Sequence, residues 1–341
     1  MAERRVGGMT NRETRSSLAG FRFASAAAVF AAVAVFNAAP IASREQPQAR
    51  IKADVSLVLL DATVKDKGGH VLSDLKKEDF RLNQDGQAQT VAHFSRGELP
   101  LAVALVVQRN NWVGPFLGPL RYATLSVLKA LKPEDQVALF AFDDDVERRV
   151  DLTNDKNKVA QQIELRGRGV GTNINDAIYQ AAKYLADAAP ATARRVIILV
   201  SDNMPAECKP GVSHKLVLDT ALEADVAVYS LKLPYLGPFL MSIGDALVEH
   251  WLVSVSKLTG ETGGEVIELE KEGSLYLAFQ TILTRLKTRY TLGFYPIPKV
   301  EDGKLHRLNL ALVPSLGNKG RDYIVVAKSG YYAPAAHVAL P

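Results

Sequence analysis

LAVALVV, from Leu101 to Val107, is a continuous run of apolar residues without polar alternation. A strand that helices cover on both faces has this pattern, because neither side of it meets water. RVIILV, from Arg195 to Val200, repeats the pattern, and Val137–Phe142 is a third such run. Asn173–Ala186 places apolar residues at helical spacing. Buried strands that alternate with amphipathic helices predict a doubly wound α/β fold with a mostly parallel sheet.

The same alternation continues through the rest of this body. Pro133 closes a helix whose leucines share one face, and the more polar Arg148–Leu152 is predicted as an edge strand. Further strands are predicted at Val226–Leu231 and Gly264–Leu269, and further helices near residues 215–223, 247–258 and 275–287.

Short strands separated by turn signals flank the body on both sides. Val55–Val64 and a hairpin around Asp85-Gly86 predict an N-terminal β module over residues 54–98. Three strands follow the body, at Tyr290–Tyr295, His306–Val313 and Tyr323–Ala327. We expect the segment 289–335 to pair with the N-terminal flank into one small β module, with separate small sheets as the alternative. The α/β domain then occupies residues 99–288.

Residues 1–42 have the character of a targeting segment. Five arginines and two glutamates accompany the apolar run FASAAAVFAAVAVF (Phe23–Phe36), as in a signal peptide. Ala39 and Ala42 are candidate cleavage positions, although Pro40 disturbs both. An uncleaved membrane anchor is the alternative, since apolar character persists through Ala42. A polar linker, residues 43–53, follows.

The charge distribution argues against nucleic-acid binding, and the cysteine content excludes an intramolecular disulfide. The formal net charge is +4, and the leader carries +3 of it. The remainder therefore has no concentrated basic surface, which argues against a nucleic-acid partner. Cys208 is the single cysteine, so no intramolecular disulfide can form.

The strands that begin at Leu101 and Arg195, together with the loop before Asn173, resemble the von Willebrand factor A (VWA) family. The flanks resemble the VWA-related exported proteins of acidobacterial type, through Leu57–Asp79, the Asn83–Phe94 hairpin, Tyr290–Pro296, Gly303–Arg307 and the close KSGYYAP at Lys328–Pro334. This resemblance covers nearly all of residues 53–335. It implies a VWA-like domain that binds a partner.

The VWA resemblance also implies a metal-ion-dependent adhesion site at the carboxyl edge of the sheet. That site uses Asp-x-Ser-x-Ser after the first strand, a threonine on a glycine-rich loop and an aspartate after the fourth strand. Thr172 corresponds to the threonine and Asp202 to the aspartate. The first motif is absent, because Gln108, Asn110 and Trp112 stand at its three positions.

The missing oxygens predict a degenerate metal site. Mg²⁺ prefers oxygen ligands that carry carboxylate charge, whereas Trp112 has no oxygen and Arg109 adds a positive charge nearby. We expect no cofactor, with weak Mg²⁺ or Mn²⁺ binding through Thr172, Asp202 and Asn110 as the alternative. The edge is predicted to bind a partner instead, through Gln108, Asn110, Trp112, Thr172 and Asp202.

Two neighbouring segments have competing interpretations. Asp143-Asp144-Asp145 is expected to be a solvated turn, with replacement carboxylates for a cation as the alternative. Trp112 and Phe116 are either aromatic anchors for a partner, or Phe116 begins a core helix while Trp112 packs over the loop.

Three enzyme-like patterns are present only in part. Ser73-Asp74-Leu75-Lys76 has Ser-x-x-Lys spacing but lacks its companion motifs. Cys208 and His214 are the residue types of a nucleophile and a base. Gly167-x-Gly169-x-Gly171 resembles a phosphate-binding loop but lacks the lysine, so we expect it to position Thr172. No enzymatic activity is expected.

These observations predict an exported, non-enzymatic binding protein of the periplasm, cell envelope or extracellular space. Its partner is expected to be a protein, with no nucleic acid and with membrane contact only through a retained leader. The alternative is a structural component of an envelope assembly with a vestigial edge site, and an enzyme is less favoured.

Overall fold

The computed structural model describes residues 57–96, 99–163, 169, 171–204, 211–234, 254–269, 275–314 and 323–335. These residues belong to one compact unit that spans Ala53–Pro341. The predicted leader and the predicted linker lie outside the described residues.

Strands and helices alternate through the middle of the chain, and strands occupy its two flanks. The strands are β1 (Val58–Asp66), β2 (Phe80–Gln84), β3 (Gln87–Gln89), β4 (Val91–Ser95), β5 (Leu101–Gln108), β6 (Gln136–Phe142), β7 (Val146–Thr153), β8 (Arg194–Ser201), β9 (Val226–Lys232), β10 (Val266–Glu268), β11 (Tyr290–Phe294), β12 (Leu305–Leu312), β13 (Tyr323–Ala327) and β14 (Gly330–Tyr332). The helices are α1 (Gly114–Ala130), α2 (Lys156–Gln161), α3 (Ile174–Ala188), α4 (His214–Glu223), α5 (residues 254–261 among those described) and α6 (Leu275–Lys287).

The central sheet has six strands in the order β10-β9-β8-β5-β6-β7. All neighbours pair in parallel except β6 and β7, which are antiparallel. The predicted polar strand is therefore the edge strand β7, as expected. Strand β5 lies at the centre and is buried along its whole length, which explains its continuous apolar sequence. The structure confirms the predicted α/β class with a mostly parallel sheet.

Helices cover both faces of this sheet and create two separate cores. The side chains of Leu101, Val103, Leu105 and Val107 pack with α1 and α6 on one face. Ala102, Ala104 and Val106 of the same strand pack with α3 and α4 on the other face. Burying one large apolar side chain contributes about 1.5–3 kcal/mol, so both faces of β5 stabilise the domain.

Strands from the two flanks of the chain pair with each other in two antiparallel sheets. One sheet has the order β13-β1-β11-β4 and the other β14-β12-β2-β3, so each contains strands from both flanks. A shared core that includes Leu60, Phe80, Tyr290 and Phe294 packs between them. Glu265 of the body contacts both Arg285, at 2.9 Å, and Lys65 of β1.

One histidine joins a strand to two turns of this flanking region. The Nδ1 atom of His306 lies 2.7 Å from Asp85 Oδ2, and its Nε2 atom lies 3.1 Å from Asp302 Oδ1. Burial opposes protonation of His306, but the hydrogen bonds to the two aspartates outweigh it and raise its pKa. Both aspartates have a pKa below the ordinary value, with the hydrogen bond to His306 as the main cause.

Candidate functional site

Two polar loops meet where β5 and β8 end. These strands are parallel neighbours with Val107 opposite Val200, so Gln108 at the end of β5 lies beside Ser201 and Asp202 at the end of β8. The chain runs from β5 to β6 on one side and returns to β8 on the other. Loops at such a switch point diverge and leave a crevice, where open α/β sheets bind ligands.

The side-chain amide of Gln108 is held in one orientation by its neighbours. Its Oε1 atom accepts hydrogen bonds from Asp202 N at 3.1 Å and from Ser201 Oγ at 2.6 Å. A backbone N–H can only donate, so the oxygen must face Asp202 N. The Nε2 atom consequently donates to Asn110 Oδ1 at 3.0 Å and to Asp202 Oδ2 at 3.2 Å.

Asn110 extends the network to the glycine-rich loop. Its Nδ2 atom donates to the backbone oxygen of Gly171 at 3.3 Å and to Thr172 Oγ1 at 2.9 Å. A carbonyl oxygen can only accept, so the orientation of Asn110 is also determined by the backbone. The structure therefore brings together four of the five predicted site residues, Gln108, Asn110, Thr172 and Asp202, which are at most 2% exposed.

Asp202 is the one carboxylate of this network. Burial raises its pKa to about 6, and hydrogen bonds from Met204 N and Gln108 only partly oppose the shift. Close to neutral pH the network thus holds a single negative charge, surrounded by donors.

The backbone beyond Asp202 supports the same edge. Asn203 has a φ of 57°, in the left-handed region that asparagine tolerates better than most residues. Its side-chain amide exchanges hydrogen bonds with Ser230 Oγ at 3.0 and 3.1 Å, and its N–H donates to Ser201 Oγ at 2.9 Å. Sequence analysis missed Asn203 and Ser230. The only available signal was an asparagine directly after a strand-end aspartate.

Comparisons with known proteins bear on the domain that carries this edge. Residues 106–204 match the family model described as von Willebrand factor type A domain. This chain contains a VWA domain. The matched segment begins in β5 and ends just after β8, so it includes all five predicted site residues. No curated protein sequence matches the chain. The narrower resemblance to acidobacterial exported proteins stays a prediction.

Solved structures of low sequence identity are similar to part of this chain. An aerotolerance-related membrane protein from Bacteroides fragilis is 14% identical, with a TM-score of 0.42 over 55% of this chain and 98% of that chain. The vWF domain of the type V pili tip protein Mfa5 from Porphyromonas gingivalis is 13% identical, with a TM-score of 0.42 over 55% and 95%. The PilB minor pilin from Streptococcus sanguinis is 14% identical, with a TM-score of 0.42 over 57% and 63%.

The residues of the VWA edge do not fit a hard divalent cation in this arrangement. A cation needs free oxygen lone pairs around it, whereas the Gln108 amide nitrogen, a donor, already occupies the space between Asn110 Oδ1 and Asp202 Oδ2. Thr172 Oγ1 accepts from Asn110 in the same way. Among the described residues, no group of three or more His, Cys, Asp or Glu side chains is placed to hold a metal ion.

The two aromatic residues near the edge of the VWA domain have different environments. Phe116 lies in α1 and is 3% exposed, packed in the core beside Val113. It is therefore a core residue and not part of an exposed surface. Trp112 lies in the one-turn helix Asn111–Val113 and is half-buried. Trp112 is therefore partly exposed at the surface near Asn110, whereas Phe116 is not part of that surface.

The acidic run after β6 differs from the prediction of a solvated turn. Asp143 is 5% exposed, and its carboxylate contacts Arg109 Nε at 3.1 Å. Asp144 Oδ1 accepts from Gly171 N at 3.0 Å, which tethers the Thr172 loop. The prediction was wrong for Asp143 and Asp144, which face a neighbouring arginine and a loop, whereas Asp145 is exposed as predicted. These contacts depend on β5 and β6 being adjacent in the sheet.

Arg109 also differs from its predicted effect on the edge. Besides Asp143 it contacts Glu147 Oε2 at 2.6 Å, so two carboxylates compensate its charge.

Gly169 of the glycine-rich loop lies close to Asp144, and an added Cβ would stand 2.0 Å from Asp144 Oδ2. An added Cβ would therefore displace the Asp144 carboxylate, which accepts the hydrogen bond from Gly171 N beside Thr172. Gly167 lies outside the described residues.

The enzyme-like patterns gain no site from the structure. Ser73 and Lys76 are exposed loop residues, and the backbone oxygen of Ser73 accepts from Arg96 Nη1 at 2.6 Å. Cys208 lies outside the described residues, so the pairing of Cys208 with His214 stays a hypothesis.

Within the described part of the chain, no helix combines the length and the hydropathy that membrane crossing demands.

Proposed function

We propose that this chain is an exported, non-enzymatic binding protein that contacts a protein partner through the carboxyl edge of its VWA sheet. In this proposal the adhesion site is degenerate and works without a cation. The observation that carries the proposal is the closed hydrogen-bond network of Gln108, Asn110, Thr172 and Asp202.

The network supports a metal-independent edge because it already supplies what a cation would supply. In a metal site the cation joins oxygen atoms from separate loops. Here the Gln108 amide joins Asn110 to Asp202, and Asn110 in turn reaches Thr172. The three loops are therefore joined by direct side-chain hydrogen bonds, so the shape of the edge does not depend on divalent ions.

Trp112 supports the choice of this edge as the partner-binding surface. Tryptophan is enriched among the residues that dominate binding energy at protein interfaces. The half-buried Trp112 adjoins Asn111, Gly114 and Pro115, which are exposed. A half-buried aromatic side chain with exposed neighbours suits a protein surface better than a small metabolite.

Calorimetry with Mg²⁺ and Mn²⁺ tests the metal-free part of the proposal. We expect no heat of binding at micromolar metal concentration from the wild-type protein. A triple variant that carries Gln108→Asp, Asn110→Ser and Trp112→Ser restores the family motif and is expected to gain binding. Micromolar affinity of the wild type would overturn the proposal that the site is degenerate.

Capture of a partner from envelope extract tests the edge itself. Trp112→Ala and Asp202→Ala are each expected to abolish capture by the immobilised protein. Tyr122→Ala is the matched aromatic control, because Tyr122 is 74% exposed on α1 and stands outside the edge. Capture that survives both edge variants excludes this interface. It would then favour the alternative, a structural component of an envelope assembly that uses its β flanks.

The export part of the proposal rests on residues 1–42. An arginine-containing segment followed by the apolar run Phe23–Phe36 is typical of a signal peptide. Mass spectrometry of the protein from an envelope fraction is expected to find a new amino terminus after Ala39 or Ala42. An intact leader in the membrane fraction would instead show an anchor, and an intact leader in the cytoplasm would contradict export.

A further inference from the structure

A second cavity lies at the opposite end of the parallel sheet from the VWA edge. Its volume is about 350 Å³, at the lower end of the range typical of small-molecule sites. Arg194 and Arg195 at the start of β8 form one wall, and Asp61 of β1 and Thr291 of β11 form another. The cavity is thus built where the flanking sheet meets the body, and no residue of the partner-binding edge lines it.

Two ion pairs lie in the cavity wall, and each pair is electrically neutral. Arg194 Nε lies 2.7 Å from Asp61 Oδ2, and Lys328 Nζ lies 2.6 Å from Asp225 Oδ1. These four residues therefore add no net charge to the cavity.

Two further guanidinium groups line the cavity, and among the described residues they donate hydrogen bonds only to uncharged oxygens. Arg195 donates from Nε to Leu185 O and from Nη1 to Ala224 O, both at 3.1 Å. Arg289 donates from Nη2 to Tyr229 Oη at 2.7 Å and to the backbone oxygen of Gly263. The described lining residues thus carry an excess of two positive charges.

Arg289 is the more unusual of these two residues. It is 4% exposed, and its buried Nε–H has no acceptor among the described residues. A buried donor without an acceptor costs free energy. Asp61 and Asp225 attract the Arg289 guanidinium, but both already pair with Arg194 and Lys328, so an anion in the cavity would add a counter-charge close to Arg289.

The remaining wall of the cavity is apolar. Leu59 and Leu99 line it and are 42% and 40% exposed, and Ala193 and Ala227 add small apolar surfaces. Two large apolar side chains are exposed to solvent beside a positively charged wall. This combination favours a ligand that has both a negatively charged group and an apolar group. A strongly hydrated inorganic ion would use the charge and leave the leucines uncovered.

We propose that this cavity binds a small organic carboxylate, whose charged group faces Arg195 and Arg289 and whose apolar group covers Leu59 and Leu99. This binding site is additional to the partner-binding edge and does not depend on it. The apolar group is expected to be aromatic or aliphatic, since the leucine wall offers no hydrogen-bonding specificity.

Calorimetry with simple probes tests the proposal. Benzoate or hexanoate is expected to bind with a Kd of about 1 mM or below, which corresponds to about −4 kcal/mol. Benzamide, which has the shape of benzoate without its charge, is expected to bind at least about tenfold more weakly. Equal binding of benzamide, or no binding of either acid at ten times that concentration, overturns the proposal. Tighter binding of inorganic phosphate than of both acids overturns the assignment to a carboxylate.

A pair of leucine variants locates the binding without touching buried residues. Leu99→Glu adds a negative charge at the cavity, so the Kd for benzoate should rise at least about fivefold. Leu277→Glu makes the same change at a residue of α6 that is 64% exposed and does not line the cavity, so its Kd should equal that of the wild type. An equal effect of both variants, or of neither, would show that benzoate binds elsewhere.

Discussion

Asp202→Asn isolates the energetic consequence of burying one carboxylate at the VWA edge. The ordinary pKa of 3.8 is raised to about 6 by burial, so the folded protein holds this proton more tightly than the unfolded chain. The stabilisation that protonation supplies is therefore complete below pH 3.8 and is lost as the pH rises through about 6. The full gap between the two pKa values corresponds to about 3 kcal/mol.

The measurable part of this effect lies between pH 5 and pH 7. Over that interval the titration of Asp202 alone lowers the free energy of unfolding by about 1.3 kcal/mol. The asparagine variant has no such proton, so the stability of the wild type relative to the variant should fall by this amount. Other titrating groups are present in both proteins and cancel in the difference.

Urea unfolding followed by tryptophan fluorescence provides the measurement. Midpoints and slopes are compared for both proteins at several pH values from 5 to 7. Asp187→Asn, which makes the same change at an exposed position of α3, serves as the control. A constant difference for Asp202→Asn, or one that grows with pH, would refute the argument that burial dominates at this carboxylate.

Three further predictions concern other parts of the structure. Phe116→Ala should lower the free energy of unfolding by about 3–5 kcal/mol because it opens a cavity under α1. Trp112→Ala should lower it by about 1 kcal/mol or less. Equal losses of the two variants in denaturant unfolding would contradict the assignment of Phe116 to the core. Gly264→Ala would place a Cβ 1.9 Å from a backbone oxygen of β9 and should destabilise the protein by about 3 kcal/mol or more. Gly260→Ala, which meets nothing within 4 Å, should be neutral or slightly stabilising, so similar melting temperatures for the two variants would contradict the packing. His306→Gln should remove stability below pH 6.5, and the difference from wild type should vanish as the pH rises above the raised pKa of the histidine; thermal unfolding at pH 6 and pH 9 tests this.

Much of the fold was predictable because local sequence patterns report burial. The apolar run from Leu101 to Val107 became β5, and Leu275–Lys287 became α6. The short helix α2 and the strand β14 had no such signal, since six and three residues are too few to show a clear period. Their positions follow from packing against neighbours that the sequence does not identify.

The candidate site was predictable only as a set of residues. Thr172 and Asp202 stand at the positions of a familiar motif, and Gln108 and Asp202 were expected at one edge because parallel strands end together. The direction of the Gln108 amide could not be predicted, because it depends on which backbone groups the loops present. The ion pairs of Arg109 were missed for the same reason.

By itself the sequence determined the class of the fold and the uncharged residue types at Gln108, Asn110 and Trp112, since each of these is a property of residue type and spacing. The tertiary structure alone decided that the remaining polar groups hydrogen-bond to one another, and that the acidic run after β6 joins Arg109 and the Thr172 loop. It also decided that Arg195 and Arg289 line one cavity. Those outcomes depend on distances between side chains from separate strands, and only the packing of the sheets sets such distances.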